Sequence, residues 1–247
     1  MVVRGIRMMA VSYRIGGQAP HLPWFLRRLA AQGLAAAPEG DQPGRLPADW
    51  AGLEFADCWL DLGRDDDQAL AQRAARCRDA GLSFVELAGG WAPAGAEFGF
   101  ILLVGDPPLP GTAARLALDA LAPQPSCWLS SGPVHSARFC QRAFDGLMHA
   151  GLASISEPDS QPRALEWETI LQKQWALAGK LRELAEAYLA ERVGLLPPYS
   201  DPLPETAVHY ASNLARTILL ALPNGSDWAE LQDKLAAHGQ NRDHARK

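Results

Sequence analysis

The chain has 247 residues, is 48% hydrophobic and 21% charged, and carries a formal net charge of −5. That composition excludes a disordered or fibrous chain, and the acidic balance offers no surface for a nucleic-acid duplex. At this length about 70–75% of the unfolded surface can be buried, so the fold needs no metal or disulfide staple.

The four cysteines, Cys58, Cys77, Cys127 and Cys140, are scattered and lack the paired spacing of a zinc site, so no metal is expected. They read as small apolar residues of a reduced, cytoplasmic protein. Met1–Ala10 contains Arg4 and Arg7 and is too short and charged for a secretory signal. No apolar window reaches the ~18 residues of a membrane span. Neither a membrane nor a nucleic acid is expected as a partner.

In chain order, Met8–Ile15 reads as a strand and Leu22–Gln32 as a helix with Leu22, Phe25, Leu26 and Leu29 on one face. Ala36–Pro47 is a Pro- and Gly-rich loop. Asp57–Leu62 reads as a strand, followed at Asp65–Asp67 by an acidic helix start and at Gly81 by the residue that ends that helix. Leu82–Leu87 and Phe98–Val104 are apolar strand patterns, Thr112–Leu121 is a helix, and Cys127–Leu129 is a last short strand. Beyond Gly132-Pro133 only helical patterns occur, over Ser136–Ala153, Arg163–Val193, Thr206–Leu222 and Ser226–His238. This order predicts an α/β domain at 1–130 and an all-α domain at 131–247.

Several of these stretches carry a resemblance. Asp57–Glu86, DCWLDLGRDDDQALAQRAARCRDAGLSFVE, reads as an apolar strand, a turn, a helix, a Gly and a second strand ending in an acid. Gly95–Gly105, Leu121-Ala122-Pro123 and Ser131-Gly132-Pro133-Val134 follow in the same order, and Phe139 and Gly146 punctuate the helix beyond. This run is similar to the 6-phosphogluconate dehydrogenases, over roughly Asp57–Leu152. Only a helical pattern continues through Arg163–Leu222, and almost nothing matches in Met1–Phe55.

The resemblance implies a reduced Rossmann-like domain followed by a helical domain of the 6-phosphogluconate dehydrogenase type. It also implies NADP or NAD as cofactor, bound over a Gly-rich turn at a helix N-terminus. Here the candidate turn is Gly16-Gly17, in a segment too short for a complete cradle, so no cofactor is expected. The family's substrate-facing Asn falls on Arg64, and its Ser-Gly-Gly loop on Gly90-Trp91-Ala92 without a gap, or on Ala88-Gly89-Gly90 with a two-residue shift. The lysine base falls on Gln141, the following Asn on Asp145 and the glutamate acid on Met148. Gln does not exchange a proton near neutral pH and Met has no titratable group. Loss of one such group costs about 10²–10⁴ in rate.

The expectation is a scaffold that has lost dehydrogenase chemistry and acts as a binding, structural or regulatory homodimer. Two alternatives are an NAD(P)-dependent or sugar-phosphate-binding enzyme using altered residues, and a permanent subunit of a larger complex. Arg64 at a strand end, or His135 and Arg138 at a helix start, would suit an anionic small molecule. Asp145 and His149 stand four apart on one helix. Ser12, Ser130 and Ser131 lack the G-x-S-x-G elbow of a serine hydrolase. Trp167, Trp175 and Tyr188 are the expected interface anchors, because aromatic residues dominate interface energetics.

Overall fold

A computed structural model describes residues 11–38, 44–153, 167–192 and 210–222. The first half forms strands β1 (Ser12–Gly16), β2 (Ala35–Ala36), β3 (Gly52–Glu54), β4 (Cys58–Asp61), β5 (Ser83–Ala88), β6 (Leu103–Gly105) and β7 (Leu129–Gly132). Between them lie helices α1 (Leu22–Ala31), α2 (Asp67–Asp79), α3 (Gly95–Phe98) and α4 (Ala113–Leu121). The helices α5 (Ser136–Ala153), α6 (Trp167–Ala190) and α7 (Tyr210–Ala221) follow. The Ser226–His238 pattern, the start of the Met8–Ile15 strand and the first residues of Arg163–Val193 lie outside the described residues.

The strands make one seven-stranded sheet in the order β2-β1-β3-β4-β5-β6-β7. It is mixed: β4 and β5 are parallel, as are β6 and β7, whereas β3 runs against both its neighbours and β5 against β6. The result is an α/β sheet with helices and, among the described residues, helices alone later in the chain.

Strand alternation decides what each face holds. Cys58, Leu60, Val85, Leu87 and Val104 point to one face, where they meet Phe25 and Leu29 of α1 and Leu118 and Leu121 of α4. Trp59 and Phe84 point to the other, against Leu70, Ala74 and Cys77 of α2. Asp61 and Glu86 continue that second face, and both are buried.

Local chemistry sets the helix ends. The Asp66 side chain accepts from the Ala69 amide at 2.8 Å and caps α2. Beyond the helix Gly81 adopts φ +70, which suits a residue without Cβ. Thr112 caps α4 in the same way through the Arg115 amide. Arg28 of α1 donates to the carbonyls of Ala120 and Ala122, satisfying the open end of α4.

Several boundaries differ from the sequence reading. Ala35–Ala36, at the start of the expected Ala36–Pro47 loop, pairs with β1, and β3 has no counterpart in the predicted elements. The strand expected over Phe98–Val104 is confined to Leu103–Gly105, because Phe98 closes α3 and Gly99 turns at φ +90 against Pro123. The last strand begins at Leu129 rather than Cys127, three residues after Ser126, which has φ +64.

The described residues divide into two compact units, one within Met1–Gln141 and Glu205–Ala211, the other within Arg142–Pro204 and Ser212–Lys247. In the second unit Leu181, Ala185 and Tyr188 form the buried stripe of α6. Gly146 of α5 lies where a Cβ would stand 3.4 Å from Leu177 and Leu181. Arg182 donates to the Leu219 and Leu222 carbonyls at the end of α7. No helix among the described residues is long and apolar enough to cross a membrane.

Gly16 supplies a test of the packing. A Cβ there would stand 2.6 Å from the Trp50 carbonyl oxygen and 2.7 Å from the Trp59 ring, neither of which can yield easily. We expect Gly16→Ala to lower unfolding stability by about 1–3 kcal/mol. Gly90→Ala, which faces open space, should stay within about 0.5 kcal/mol. Urea titration of both variants checks the contrast.

Candidate functional site

β1, β4 and β5 run in the same sense, so Gly16, the Asp61–Arg64 turn and the Ala88–Trp91 turn share one edge of the sheet. In α/β sheets the carboxyl edge of the strands is where ligands collect. His21, at the N-cap of α1, also reaches this edge, with its ring 4.4 Å from that of Trp91.

The substrate-loop candidates and the base candidate come together. The Gly89 amide donates to Oε1 of Gln141 at 3.2 Å, and Nε2 of Gln141 donates back to the Gly89 carbonyl at 3.3 Å. Trp91 folds over the edge, its indole N–H donating to the Ile101 carbonyl and its ring packing on His21 and Phe25. Gly90 and Ala92 are exposed, and the Ala92 carbonyl accepts the Gly95 amide at 3.0 Å. Arg64 lies with its guanidinium 5.3 Å from the centre of the Trp91 ring. Asp145 and Met148, further along α5, are exposed, and the His149 side chain lies outside the described residues.

Gly16 and Gly17 are engaged by the protein itself. The Gly17 amide donates to the Ala48 carbonyl at 2.7 Å. A Cβ on Gly17 would lie within 2.7 Å of the Asp49–Ala51 backbone, so that loop covers the turn where a pyrophosphate would approach. These glycines are explained by a crossing loop and by Trp59.

Beneath the edge lies a cluster that the sequence reading missed. Asp61 and Glu86 are directly registered neighbours on parallel strands, 1% and 0% exposed. Arg73 of α2 grips both oxygens of Asp61, at 2.7 and 2.9 Å, and reaches Asp65 as well. The Trp59 indole N–H adds a third donor to Asp61 at 3.2 Å. Arg138 of α5 donates to the Gly63, Asp65 and Asp66 carbonyls and stands 3.5 Å from Asp61 and 3.9 Å from Glu86.

His135 and Arg138 were expected to hold an anion at a helix start. The group that meets this helix start is the carboxyl of Glu86. Its Oε1 accepts the Arg138 amide at 2.9 Å, and the backbone of Ala137 and His135 also donates to the carboxyl. His135 adopts φ +75 at this turn. On the other side Oε2 of Glu86 lies over Gly105, where a Cβ would stand 2.3 Å away.

Charge is shared unevenly. Burial opposes the charge of Arg73, but its bonds to Asp65 and Asp61 hold its pKa above the ordinary value. Arg73 likewise holds the Asp65 carboxyl below its ordinary range. Glu86 receives amides and a distant guanidinium, so burial dominates and pushes it up to about 7. Burial first, and then the charge of Arg64, pull His21 down to about 4. His21 is therefore neutral near pH 7, and its Nε2 has no hydrogen-bond partner among the described residues.

Of the expected interface residues, Tyr188 is only 5% exposed and is covered by Arg192, 4.0 Å from its ring centre. Its burial within the chain leaves it little surface for a second copy. Trp175 is partly buried, and the Trp167 side chain lies outside the described residues. Ser131 is buried, Ser130 partly so and Ser12 exposed, with no histidine bonded to any of them among the described residues. Also among the described residues, no group of His, Cys, Asp and Glu is arranged to hold a metal ion.

No protein-family model matches the chain, and no curated protein matches it at a significant level.

The raised pKa of Glu86 fixes a sign. The folded state holds this proton more tightly than the unfolded chain, so stability from this group is full below about pH 4.5 and falls as pH rises through about 7. Glu86→Gln keeps an acceptor for the Arg138 amide and removes the titration. We expect its stability relative to the parent to improve from pH 5 to pH 8, read from urea midpoints. A variant that loses ground as pH rises would show instead that pairing with Arg138 outweighs burial.

Proposed function

We propose that the chain is a 6-phosphogluconate dehydrogenase-like scaffold whose reaction centre has become structural, and that it serves as a binding or structural homodimer rather than a dehydrogenase. The order of elements supports the resemblance: β4, then α2 closed by Gly81, then β5 reaching past Glu86, and the long helix α5 after Gly132-Pro133. One observation carries the loss of chemistry. At the position of the family's base, Gln141 has both ends of its amide bonded to the Gly89 peptide. A carboxamide so held neither takes a proton from a substrate hydroxyl nor is free to turn toward one.

The cover over Gly17 and the exposed thioether of Met148 agree with this reading. We place the protein in the cytoplasm, where its four unpaired cysteines stay reduced. Met148 and Leu220 of the helical unit, 65% and 75% exposed, offer apolar surface for self-association.

Purified protein should not reduce NADP with 6-phosphogluconate, and calorimetry should give an NADP dissociation constant weaker than about 1 mM. Turnover at an ordinary enzymatic rate, about 1 s⁻¹ or faster, would overturn the proposal. So would micromolar NADP binding that Gly17→Val abolishes. Light scattering checks the dimer: a mass near the 26.7 kDa of one chain rejects it.

A further inference from the structure

We propose that Arg138 is a pH-operated latch: when Glu86 loses its proton to solvent, the guanidinium leaves the turn at residues 63–66 for the carboxylate, and the start of α2 loosens. The device rests on neither the family resemblance nor a second copy of the chain, since it uses only the cluster beneath the sheet edge.

Arg138 stands between two sets of acceptors and bonds fully to one of them. Its terminal nitrogens donate to the carbonyls of Gly63, Asp65 and Asp66 at 2.8, 2.7 and 3.1 Å. Its Nε makes no hydrogen bond among the described residues and stops 3.9 Å from Oε1 of Glu86. That is about 1 Å beyond a charge-assisted bond. A protonated carboxyl gives Arg138 no reason to close the gap. An ionised one is an acceptor roughly twice as strong as a neutral carbonyl. Nε and the terminal nitrogens belong to one rigid plane, so closing the gap swings the plane away from the turn.

The other groups around Glu86 leave the task to Arg138. Oε2 of Glu86 has no hydrogen-bond partner among the described residues, and the carboxyl is fully buried. On β4, Asp61 repels a second negative charge, and Arg73 of α2 is spent on Asp61 and Asp65. On α5, burial pushes the Cys140 thiol up to about 12, so it stays neutral. On β6, Gly105 brings no charge, and Asp106 beyond it lies in the field of Arg78. His135, at the turn before α5, gives its backbone amide to the carboxyl. Burial holds the Glu86 proton until about pH 7, so the latch works near neutrality. The turn it releases carries the α2 cap: Asp66 accepts the Ala69 amide on its side chain at 2.8 Å and the Leu70 amide on its carbonyl at 3.2 Å.

Nuclear magnetic resonance on the intact chain, titrated from about pH 5 to about pH 8, tests the latch. Two signals are read: the Arg138 Nε–H resonance, and hydrogen exchange of the Ala69 and Leu70 amides corrected for base catalysis. We expect the Nε–H resonance to shift with a midpoint near 7. Protection of the two amides should fall about threefold or more across the same midpoint. Glu86→Gln should abolish both changes. His135→Asn, which tolerates the left-handed backbone at that position and removes the nearby imidazole, should keep them. A flat Nε–H resonance in the parent overturns the proposal even where Glu86→Gln fails to fold. Constant amide protection while Nε–H titrates also overturns it, because the pair would then tighten without releasing the turn. So does a titration that survives Glu86→Gln or disappears in a folded His135→Asn.

Discussion

Two carboxylates placed side by side inside a sheet, Asp61 and Glu86, are the constraint around which the first unit is built. Neighbouring strands lie about 4.8 Å apart, so two ionised acids in register there would repel strongly unless cations answer them. Arg73 and Arg138 do so from two different helices, and thereby fix where α2 and the start of α5 lie on the sheet. Arg138 completes the connection by binding three carbonyls of the turn between β4 and α2. With Asp65 included, the acids outnumber the guanidinium groups. The imbalance falls on Glu86, which has the weakest access to a cation and keeps its proton most readily.

The same row explains the glycines. Across the sheet, the residues in register are Gly16, Gly52, Asp61, Glu86, Gly105 and Gly132. The Trp59 ring lies over Gly16 and Gly52, and the Glu86 carboxyl lies over Gly105. Side chains on either flank would remove the room that a large indole and a buried acid need. A glycine after the first strand is easily taken for a phosphate-binding turn, because both uses require a missing Cβ. Here the close approach is made by Trp59, Trp50 and the loop at Asp49–Ala51.

What could be read from the sequence was what repeats locally. The buried face of α1, the Asp-rich start and Gly81 end of α2, and the span of α5 follow from helical period and capping chemistry. The strand β3 escaped because three residues, one of them Glu54, carry no periodic signal. Its charge is answered from outside the segment by Arg14 and Arg45. The acid–guanidinium cluster escaped for a related reason. Arg73 lies 8 and 12 residues from its two acids and Arg138 lies 73 from Asp65, and only the fold shows them to be neighbours. One signal was available: Asp61 ends and Glu86 interrupts an otherwise apolar strand, where a lone acid needs a partner. His21 gave no signal, since a histidine before a helix is ordinary until its burial is known.

Buried ion pairs add little net stability compared with apolar packing, because desolvation offsets most of the attraction. They discriminate sharply between registers, however. Sliding β5 by one residue would turn Glu86 away from the amides of α5 and toward the face lined by Phe25 and Leu118, where no cation waits among the described residues. Leu87 or Val85 would then meet Arg138 in its place. Such a slip buries a carboxylate without a donor and leaves a guanidinium without an acceptor, and each costs several kcal/mol, on the order of 3–5. The cluster thus selects one strand register and one seating of α2 and α5. That is reason enough for a chain to retain these charges inside the sheet.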